Sequence, residues 1–429
     1  MTGAVPLIDL DVAPRVPAGV ASRRPRIAVP RPVLLLGVLV AALLALAAAA
    51  PPPRALRQGL AAGGTAAAAF TLGPGALYTA AFGQNPNSES GVRRYALPGG
   101  AQVWATPLAQ NVQNLVLDDG ILLARSGAEP RVSFLDANDG RVLWHLDSPT
   151  TSVVTLSGGR ALLRADTGDG GTQLRLVSAR TGATIWIRAF GGAGEIRNDD
   201  LFEHDPDRIV FVGVDGHVTT LRFADGSVLG EGDLGVRLPL EMVDYLTDFA
   251  GVTVFGDRLY LSRGDDGRTS LAAFGLPGLT ERWRTDGGPA GYVQDCGPVL
   301  CISDSERVSG LDPGSGAVRW SDPAWSYASP LADDTLLAYD RQDEPGSAIL
   351  DARTGAVRRT LGRTQVIGGV ELRADTEILG RTWVRVAGPD GVVRTVGSLD
   401  TAAPYGCTAL APYLACPTSA GPTTVWSIP

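Results

Sequence analysis

The amino-acid sequence predicts an all-β propeller of eight four-stranded blades, and seven to nine blades are compatible with the pattern. One observation is a local repeat: an apolar run, a turn that ends in glycine and, four residues after that glycine, often a tryptophan. The repeat returns about every forty residues, a period typical of propeller blades. The second observation is composition, because 54 glycines and 45% apolar residues in a chain of 429 suit many short strands joined by tight turns. The turn glycines are Gly100, Gly140, Gly182, Gly226, Gly278, Gly316, Gly355 and Gly391.

The stretch 112–147 shows the four strands of one predicted blade. Asn114–Asp118 alternates apolar and polar residues, and Ile121–Ala124 follows an Asp-Gly turn, which is a strong hairpin signal. Arg131–Leu135 is the third strand and Arg141–Trp144 the outer one. Similar quartets are predicted at about 70–107, 153–190, 196–235, 252–285, 292–321, 327–361 and 366–398.

The end of the chain predicts three more short strands, at Cys407–Leu410, Tyr413–Cys416 and Thr423–Ile428. These strands need a fourth, which either Arg54–Leu60 or the first blade could supply. A strand from the start of the propeller would close the ring and remove exposed sheet edges.

The tryptophans of the repeat are predicted to be structural. An indole on the outer strand can lie across the neighbouring blade, where it buries roughly 150–250 Å² and donates its N–H to a backbone carbonyl. Trp144, Trp186 and Trp320 are expected to be equivalent and buried. The full set with this role is Trp104, Trp144, Trp186, Trp283 and Trp320.

A second aromatic group consists of Trp320, Trp325 and Tyr327. Aromatic side chains grouped in this way could bind a sugar or a peptide. Packing in the core at a blade junction is the favoured interpretation.

The four cysteines predict two local disulfides, Cys296–Cys301 and Cys407–Cys416, which agree with export from the cytoplasm. If the turn of the second pair centres on Ala411-Pro412, its cysteines face each other across a hairpin at about 4.5–5.5 Å between Cα atoms, within disulfide range. Free buried thiols or a metal site are the alternatives. Neither pair has zinc-like spacing, and no histidine lies nearby in the sequence.

The N-terminal region predicts a single-pass membrane anchor. Residues 1–32 form a Pro-rich tail with an excess of arginine, and the uncharged segment Val33–Ala50 would span roughly 27 Å as a helix. The arginine excess predicts a cytoplasmic N-terminus, a plasma-membrane location and an extracytoplasmic remainder. A cleaved signal peptide is the alternative interpretation. Residues 51–65 are then a linker, and residues 66–429 form the propeller.

The charge of the chain argues against a nucleic-acid partner. The formal net charge is −8, and all basic residues are arginine. Residues 1–32 contain more arginines than acidic residues, so the rest of the chain is more acidic than the whole. Nucleic-acid binding would require a basic stripe on the remaining residues.

Several repeats resemble those of PQQ-like β-propellers, in which Leu-Asp precedes a Thr-Gly turn and a tryptophan. They are Leu135–Trp144, Leu176–Trp186, Leu311–Trp320 and Leu350–Val357, and the resemblance covers about residues 70–398. This family includes quinoprotein alcohol dehydrogenases and cofactor-free members, such as the BamB-type assembly lipoprotein and sensor domains of membrane kinases. An anchor followed by a propeller resembles the PQQ-binding-like repeat proteins of high-GC Gram-positive bacteria.

The resemblance implies two alternative functions. One is a non-catalytic, monomeric scaffold that binds an envelope protein, a peptide or another ligand. The other is a quinoprotein-like enzyme with PQQ and calcium in the propeller funnel. The scaffold is favoured because the chain lacks the adjacent cysteines of such enzymes and no motif places a calcium set. Asn198–Asp200 is the nearest acidic cluster and is interpreted as a loop. No catalytic, cofactor-binding or metal residue is assigned.

A candidate partner loop lies where the repeat is longest, between Gly226 and Gly278. The extra segment Val236–Phe249 mixes acidic residues with apolar residues that look exposed, and a longer blade strand is the alternative interpretation. The apolar residues are Leu238, Leu240, Met242, Tyr245 and Leu246.

Overall fold

In the computed structural model, the described residues form nine four-stranded antiparallel sheets, which are the blades of a propeller. The structure describes residues 55–62, 67–81, 90–108, 111–126, 130–197, 206–238, 249–265, 268–288, 291–304, 306–332, 334–340, 346–388, 391–400, 406–418 and 422–429. These residues contain no helix long and apolar enough to span a membrane. The predicted anchor, Val33–Ala50, lies outside them.

The strands of the first half are β1 (Arg57–Ala62), β2 (Ala67–Gly73), β3 (Ala76–Ala81), β4 (Gly91–Ala96), β5 (Gln102–Pro107), β6 (Val112–Asp118), β7 (Ile121–Ser126), β8 (Arg131–Asp136), β9 (Val142–Asp147), β10 (Thr151–Ser157), β11 (Arg160–Asp166), β12 (Thr172–Ser178), β13 (Thr184–Phe190), β14 (Gly194–Ile196), β15 (Arg208–Gly213), β16 (His217–Arg222) and β17 (Val228–Asp233). The remaining strands are β18 (Phe249–Phe255), β19 (Arg258–Asp265), β20 (Arg268–Gly275), β21 (Thr280–Asp286), β22 (Tyr292–Asp295), β23 (Leu300–Ser303), β24 (Val308–Leu311), β25 (Val318–Asp322), β26 (Trp325–Ala332), β27 (Thr335–Asp340), β28 (Ser347–Asp351), β29 (Val357–Gly362), β30 (Thr364–Ile367), β31 (Val370–Ala374), β32 (Arg381–Ala387), β33 (Val393–Asp400), β34 (Thr408–Leu410), β35 (Tyr413–Pro417) and β36 (Thr423–Ser427).

Blades 1 to 8 each take four consecutive strands, from β2–β5 in blade 1 to β30–β33 in blade 8. Blade 9 has the order β34, β35, β36, β1. The first strands of neighbouring blades contact one another, for example β2 with β6 and β18 with β22, so they form the inner ring. The fourth strand of each blade is therefore the outer one.

The blade count corrects the expectation of eight. Each turn glycine marks the connection from a third to a fourth strand, and blade 9 has no such turn because its outer strand comes from the start of the propeller. β1 pairs antiparallel with β36, with Arg57 opposite Ser427 and Ala62 opposite Thr423. The propeller therefore begins within residues 51–65, which the sequence pattern assigned to a linker.

The core lies between the blades, and both faces of the middle strands are buried. In β7, Leu122 and Ala124 pack toward blade 1, whereas Ile121 and Leu123 pack toward blade 3. Because alternate side chains point to opposite faces of a strand, a strand buried on both sides reads as a continuous apolar run.

Five blade interfaces share one contact between an outer-strand tryptophan and the turn glycine of the next blade. All five glycines have a positive φ, and a Cβ at Gly140 would lie 2.6 Å from the Trp104 ring. Each indole N–H also donates to the carbonyl three residues before that glycine, for example Trp144 to Ala179 at 2.8 Å. The other four pairs join Trp104 to Ala137 (3.2 Å), Trp186 to Phe223 (2.8 Å), Trp283 to Pro313 (2.9 Å) and Trp320 to Ala352 (2.9 Å).

The five indoles differ in burial. Trp186 and Trp320 are buried, at 8% and 9% exposure, whereas Trp144 is half-buried. The expectation that Trp144 is as buried as the other two is wrong. Trp144 stacks on Phe134 with ring centroids 4.0 Å apart.

At the interface between blades 4 and 5, the outer strand carries the small residues and the turn of the next blade carries the large one. Gly230 stands four residues after Gly226, where other blades have tryptophan, and Leu279 takes the position of the next turn glycine with φ +53°. A Cβ at Gly232 would lie 2.6 Å from the Leu279 Cβ, so small residues on blade 4 accommodate the leucine. The assignment of Gly278 as the turn glycine is therefore one residue too early.

Three further interfaces have no outer-strand tryptophan packed on a turn of the next blade. Leu56 packs against Gly397 between blades 8 and 9, and Leu60 packs against Gly100 between blades 9 and 1. Between blades 7 and 8, the buried Glu371 pairs with Arg359 across the interface and with Arg385 of its own blade, at 3.2 Å.

Candidate functional site

The structure confirms both predicted disulfides. Cys296 and Cys301 lie 5.7 Å apart between Cα atoms and join the first two strands of blade 6. Cys407 and Cys416 lie 4.2 Å apart and join the first two strands of blade 9. Each bridge closes a short hairpin within one blade, which is why the nearest cysteine in sequence is the correct partner.

The candidate partner loop is largely outside the described residues, which include only Leu238 of its five predicted contact residues. That residue is 8% exposed and packs among core residues of blades 4 and 5, and its N–H donates to the Val214 carbonyl at 2.8 Å. Its expected exposure is therefore wrong, because the chain after β17 still covers the blade interface. The acidic cluster Asn198–Asp200 also lies outside the described residues, as do Leu240, Met242, Tyr245 and Leu246.

The aromatic group predicted around Trp320 divides into two parts. Trp320 and Trp325 belong to the core between blades 6 and 7, each 9% exposed. Tyr327 is 37% exposed and lies beside two other tyrosines, Tyr292 and Tyr339. We call Tyr292, Tyr327 and Tyr339 the tyrosine patch.

The rings of the tyrosine patch form a tilted series with Tyr327 in contact with both others. The centroids of Tyr292 and Tyr327 are 6.5 Å apart with an interplanar angle of 32°. Those of Tyr327 and Tyr339 are 6.4 Å apart with an angle of 31°. Tyr292 is 56% exposed, the largest exposed fraction of any aromatic side chain among the described residues. The patch therefore presents aromatic surface to solvent.

Strand register brings the three rings together. Tyr292 begins β22, the inner strand of blade 6, and pairs with Ser303, whereas Tyr327 of β26 pairs with Tyr339 of β27 in blade 7. The beginnings of β22 and β26 and the end of β27 lie at the same edge of the propeller, because successive strands are antiparallel. The sequence pattern found Tyr327 alone, since its neighbours belong to other strands.

The backbone around the patch is well supported. The Cys296–Cys301 bridge joins β22 to β23. A Cβ on Gly291 would collide with the Ser303 carbonyl oxygen, so the backbone just before β22 packs directly against the end of β23. In blade 7, the Ser326 hydroxyl donates to the carbonyls of Tyr339 and Asp340 at 3.3 and 3.2 Å.

Two acidic residues are adjacent in sequence to residues that pair with, or belong to, the patch. Asp304 follows the strand residue opposite Tyr292 and accepts backbone hydrogen bonds from Glu306 and Arg307 at 2.6 and 2.7 Å. Asp340 follows Tyr339 and accepts a hydrogen bond from the Gly346 N–H at 3.0 Å. The one arginine of this loop, Arg307, pairs with Glu306 at 3.3 Å.

Two tyrosines of the core show how the patch differs from structural tyrosines. Burial raises the pKa of Tyr78 and of Tyr260. Tyr78 is 4% exposed and donates its hydroxyl to the Ala137 carbonyl at 3.2 Å. Their rings fill blade interfaces, whereas Tyr292 and Tyr327 of the patch are exposed.

Two open cavities with mixed polar and apolar linings lie between blades 3 and 4. One, of about 320 Å³, is lined by Phe190 and Phe211, whose rings stack at 3.8 Å, together with His217 and Glu231. The other, of about 570 Å³, is lined by arginines that include Arg160. Within the part of the chain that the structure describes, no three His, Cys, Asp or Glu side chains are placed to hold a metal ion.

Comparison with known proteins places the chain in a family. The family model described as outer membrane protein assembly factor BamB matches residues 88–322, more than half of the 429 residues. The chain belongs to the BamB family. No curated protein matches this BamB-family chain.

Solved structures similar to this BamB-family protein are distant in sequence. BamB from Moraxella catarrhalis is 15% identical, with a TM-score of 0.44, 87% of this chain covered and 100% of the other. The computationally designed Ika8 protein is 11% identical, with a TM-score of 0.46 and the same coverage. Saccharomyces cerevisiae Sqt1 is 12% identical, with a TM-score of 0.45, 81% of this chain covered and 100% of the other.

Proposed function

We propose that this BamB-family propeller is a non-catalytic scaffold that binds a protein partner at the cell envelope through the tyrosine patch. The observation that carries the proposal is the pair of exposed rings, Tyr292 and Tyr327, at 56% and 37% exposure on the inner strands of two blades. Tyrosine is enriched at protein interfaces because its large, rigid ring has an apolar body and a polar tip. The description of the family as an assembly factor supports the same role.

The alternative function, a quinoprotein-like enzyme, needs a bound PQQ and a calcium ion in the funnel. Calcium takes six to eight oxygen ligands, commonly from carboxylates. The described residues place no group of three acidic or histidine side chains for such an ion. Calcium-dependent dye reduction with an alcohol by the purified protein would favour the enzyme.

We further propose that the protein is a monomer anchored in the plasma membrane by Val33–Ala50, with residues 1–32 cytoplasmic and the propeller outside. The apolar segment, the arginines before it and the two disulfides support this topology, since disulfides persist in oxidising compartments. Protease added to protoplasts should digest the propeller and spare a tag at residue 1. A mature protein that starts near Pro51 would show a cleaved signal peptide instead.

The scaffold proposal is tested by site-specific photocrosslinking in the native envelope. A photoreactive amino acid at Tyr292 should yield a discrete adduct with a protein. The matched control places it at Val103, an equally solvent-accessible position, 48% exposed, on the outer strand of blade 1. The same adduct from both positions, or none from Tyr292, would contradict the proposal.

A further inference from the structure

We propose that the larger cavity between blades 3 and 4 binds a phosphate monoester, either free or on a lipid headgroup. The cavity has a volume of about 570 Å³, and Arg160, Arg208 and Arg222 line it together with one acidic residue, Asp207. We call it the arginine cavity. The inference goes beyond the proposed scaffold function, and it concerns a different part of the propeller from the tyrosine patch, which lies on blades 6 and 7.

Strand order brings the three arginines to one edge of the propeller. Arg160 begins β11 in blade 3, Arg208 begins β15 in blade 4, and Arg222 ends β16 of the same blade. The start of a blade's second strand and the end of its third strand lie at the same edge, because successive strands are antiparallel. The three arginines are far apart in the sequence, and the fold makes them neighbours around one cavity.

Two of the arginines are placed where their charges repel one another. Arg208 and Arg222 are directly opposite in the ladder that joins β15 to β16. Residues in this relation have Cβ atoms about 4.5–5.5 Å apart, and like charges directly opposite destabilise a sheet. A bound anion would offset that repulsion. The excess of positive charge is local, since the chain as a whole has a formal net charge of −8.

The protein neutralises these charges only in part. Among the described residues, the Arg160 side chain has neither a hydrogen-bond partner nor an ion-pair partner. Arg208 donates to the Gly256 carbonyl, which is a neutral acceptor. The Arg222 Nε lies 3.9 Å from the Asp225 Oδ2, and because both side chains are more than half exposed, water screens their attraction. With the acid of the lining, three positive charges face two negative ones, so the site keeps net positive charge for a ligand.

Guanidinium chemistry and the size of the cavity select the ligand. Guanidinium groups bind phosphate through pairs of parallel hydrogen bonds, and a phosphate monoester carries a charge of about −1.5 to −2 at neutral pH and three strong acceptor oxygens. A single carboxylate has one charge and two oxygens, so it matches three arginines less well. The volume lies within the range of about 300–1,000 Å³ that is usual for small-molecule sites, which leaves room for the organic part of the ester. Leu229, 36% exposed, lines the cavity and offers apolar surface to that part.

Isothermal titration calorimetry on the full-length protein in detergent tests the inference. The probes are glycerol phosphate and a short-chain phosphatidic acid, which carry the same phosphate monoester, and the control ligands are glycerol and citrate. We expect saturable binding of at least one probe, no binding of glycerol, and citrate binding at least about tenfold weaker. Arg160→Gln should weaken probe binding about tenfold, because losing one hydrogen bond to a charged group commonly costs that much. The matched control is Arg175→Gln, since Arg175 is also a half-buried arginine of blade 3 but does not line the cavity, and it should leave binding unchanged.

The two probes distinguish the sources of the phosphate. Arginine-dependent binding of glycerol phosphate would assign the cavity to a soluble ester, and such binding of phosphatidic acid alone would assign it to a lipid headgroup. No saturable binding of either probe, or equal affinities of wild type and Arg160→Gln, would overturn the inference, as would citrate binding as tight as that of the probes. Circular dichroism checks the fold, and Arg222→Gln replaces Arg160→Gln if that variant misfolds. None of these results involves the tyrosine patch, so a failure here leaves the scaffold proposal standing.

Discussion

Replacing Gly140 with alanine should destabilise the propeller more than the same change at Gly391. Both glycines follow the third strand of a blade with nearly equal backbone angles, φ +77° and +74°. A Cβ at Gly140 would lie 2.6 Å from the Trp104 ring and 2.7 Å from the Thr106 hydroxyl, whereas at Gly391 no described atom lies within 4 Å. The two sites therefore share the backbone strain and differ in the contact.

The expected loss of stability is the sum of the backbone strain and, at Gly140, the steric contact. A left-handed conformation costs a residue with a Cβ roughly 1–2 kcal/mol. Overpacking a well-filled contact adds about 1–3 kcal/mol at Gly140. The free energy of unfolding should thus fall by about 1–2 kcal/mol in Gly391→Ala and by about 2–5 kcal/mol in Gly140→Ala.

Urea denaturation monitored by far-UV circular dichroism measures both losses on the full-length protein. Adding Trp104→Ala should remove most of the extra penalty at Gly140, because the ring that blocks the Cβ is gone, and the double-mutant cycle isolates that coupling. Equal losses in Gly140→Ala and Gly391→Ala would show that the tryptophan does not lie on the turn, and the packing argument would fail.

Three other changes probe the blade interfaces and turns. Trp186→Phe should cost about 1 kcal/mol for the lost N–H bond to Phe223, whereas Trp186→Ala should cost about 3–5 kcal/mol; equal urea midpoints for the two variants would contradict a role for the ring. Leu279→Gly relieves the positive φ but empties the space above Gly232, so we expect a net loss of stability, and a higher urea midpoint would show that strain outweighs packing. The hydrogen bonds from Arg358 and Thr354 lower the pKa of Asp351 to about 2. This carboxylate therefore contributes stability above its unfolded pKa of about 3.9 and loses that contribution as the pH falls toward 2, so the difference in urea midpoint between wild type and Asp351→Asn should shrink between pH 4 and pH 2; a constant difference would refute the coupling.

The sequence was sufficient to predict features that depend on neighbours along the chain. The blade repeat, its turn glycines and the two disulfides all arise within one hairpin or one sheet, where strand pairing is antiparallel and consecutive. Cys407 and Cys416 illustrate this, because a short hairpin leaves the two cysteines opposite each other. Local pairing has one favourable solution, so a pattern in the sequence can predict it.

Features that depend on contacts between distant segments needed the tertiary structure. The sequence left two candidates for the fourth strand of the last blade, Arg54–Leu60 or the first blade, and the structure shows that β1 pairs with β36, nearly the whole propeller away in sequence. Leu279 takes the place of a turn glycine because a different blade offers Gly230 and Gly232, and that exchange of sizes involves two blades at once.

The tyrosine patch shows the same division at the candidate site. Tyr327 was visible in the sequence as one member of an aromatic group, but its ring partners, Tyr292 and Tyr339, lie on other strands, and Tyr292 comes from the neighbouring blade. Trp325, two residues from Tyr327, is buried instead. Exposure and ring spacing depend on how blades 6 and 7 pack, because side chains that are far apart along the chain become neighbours only when the sheets are assembled.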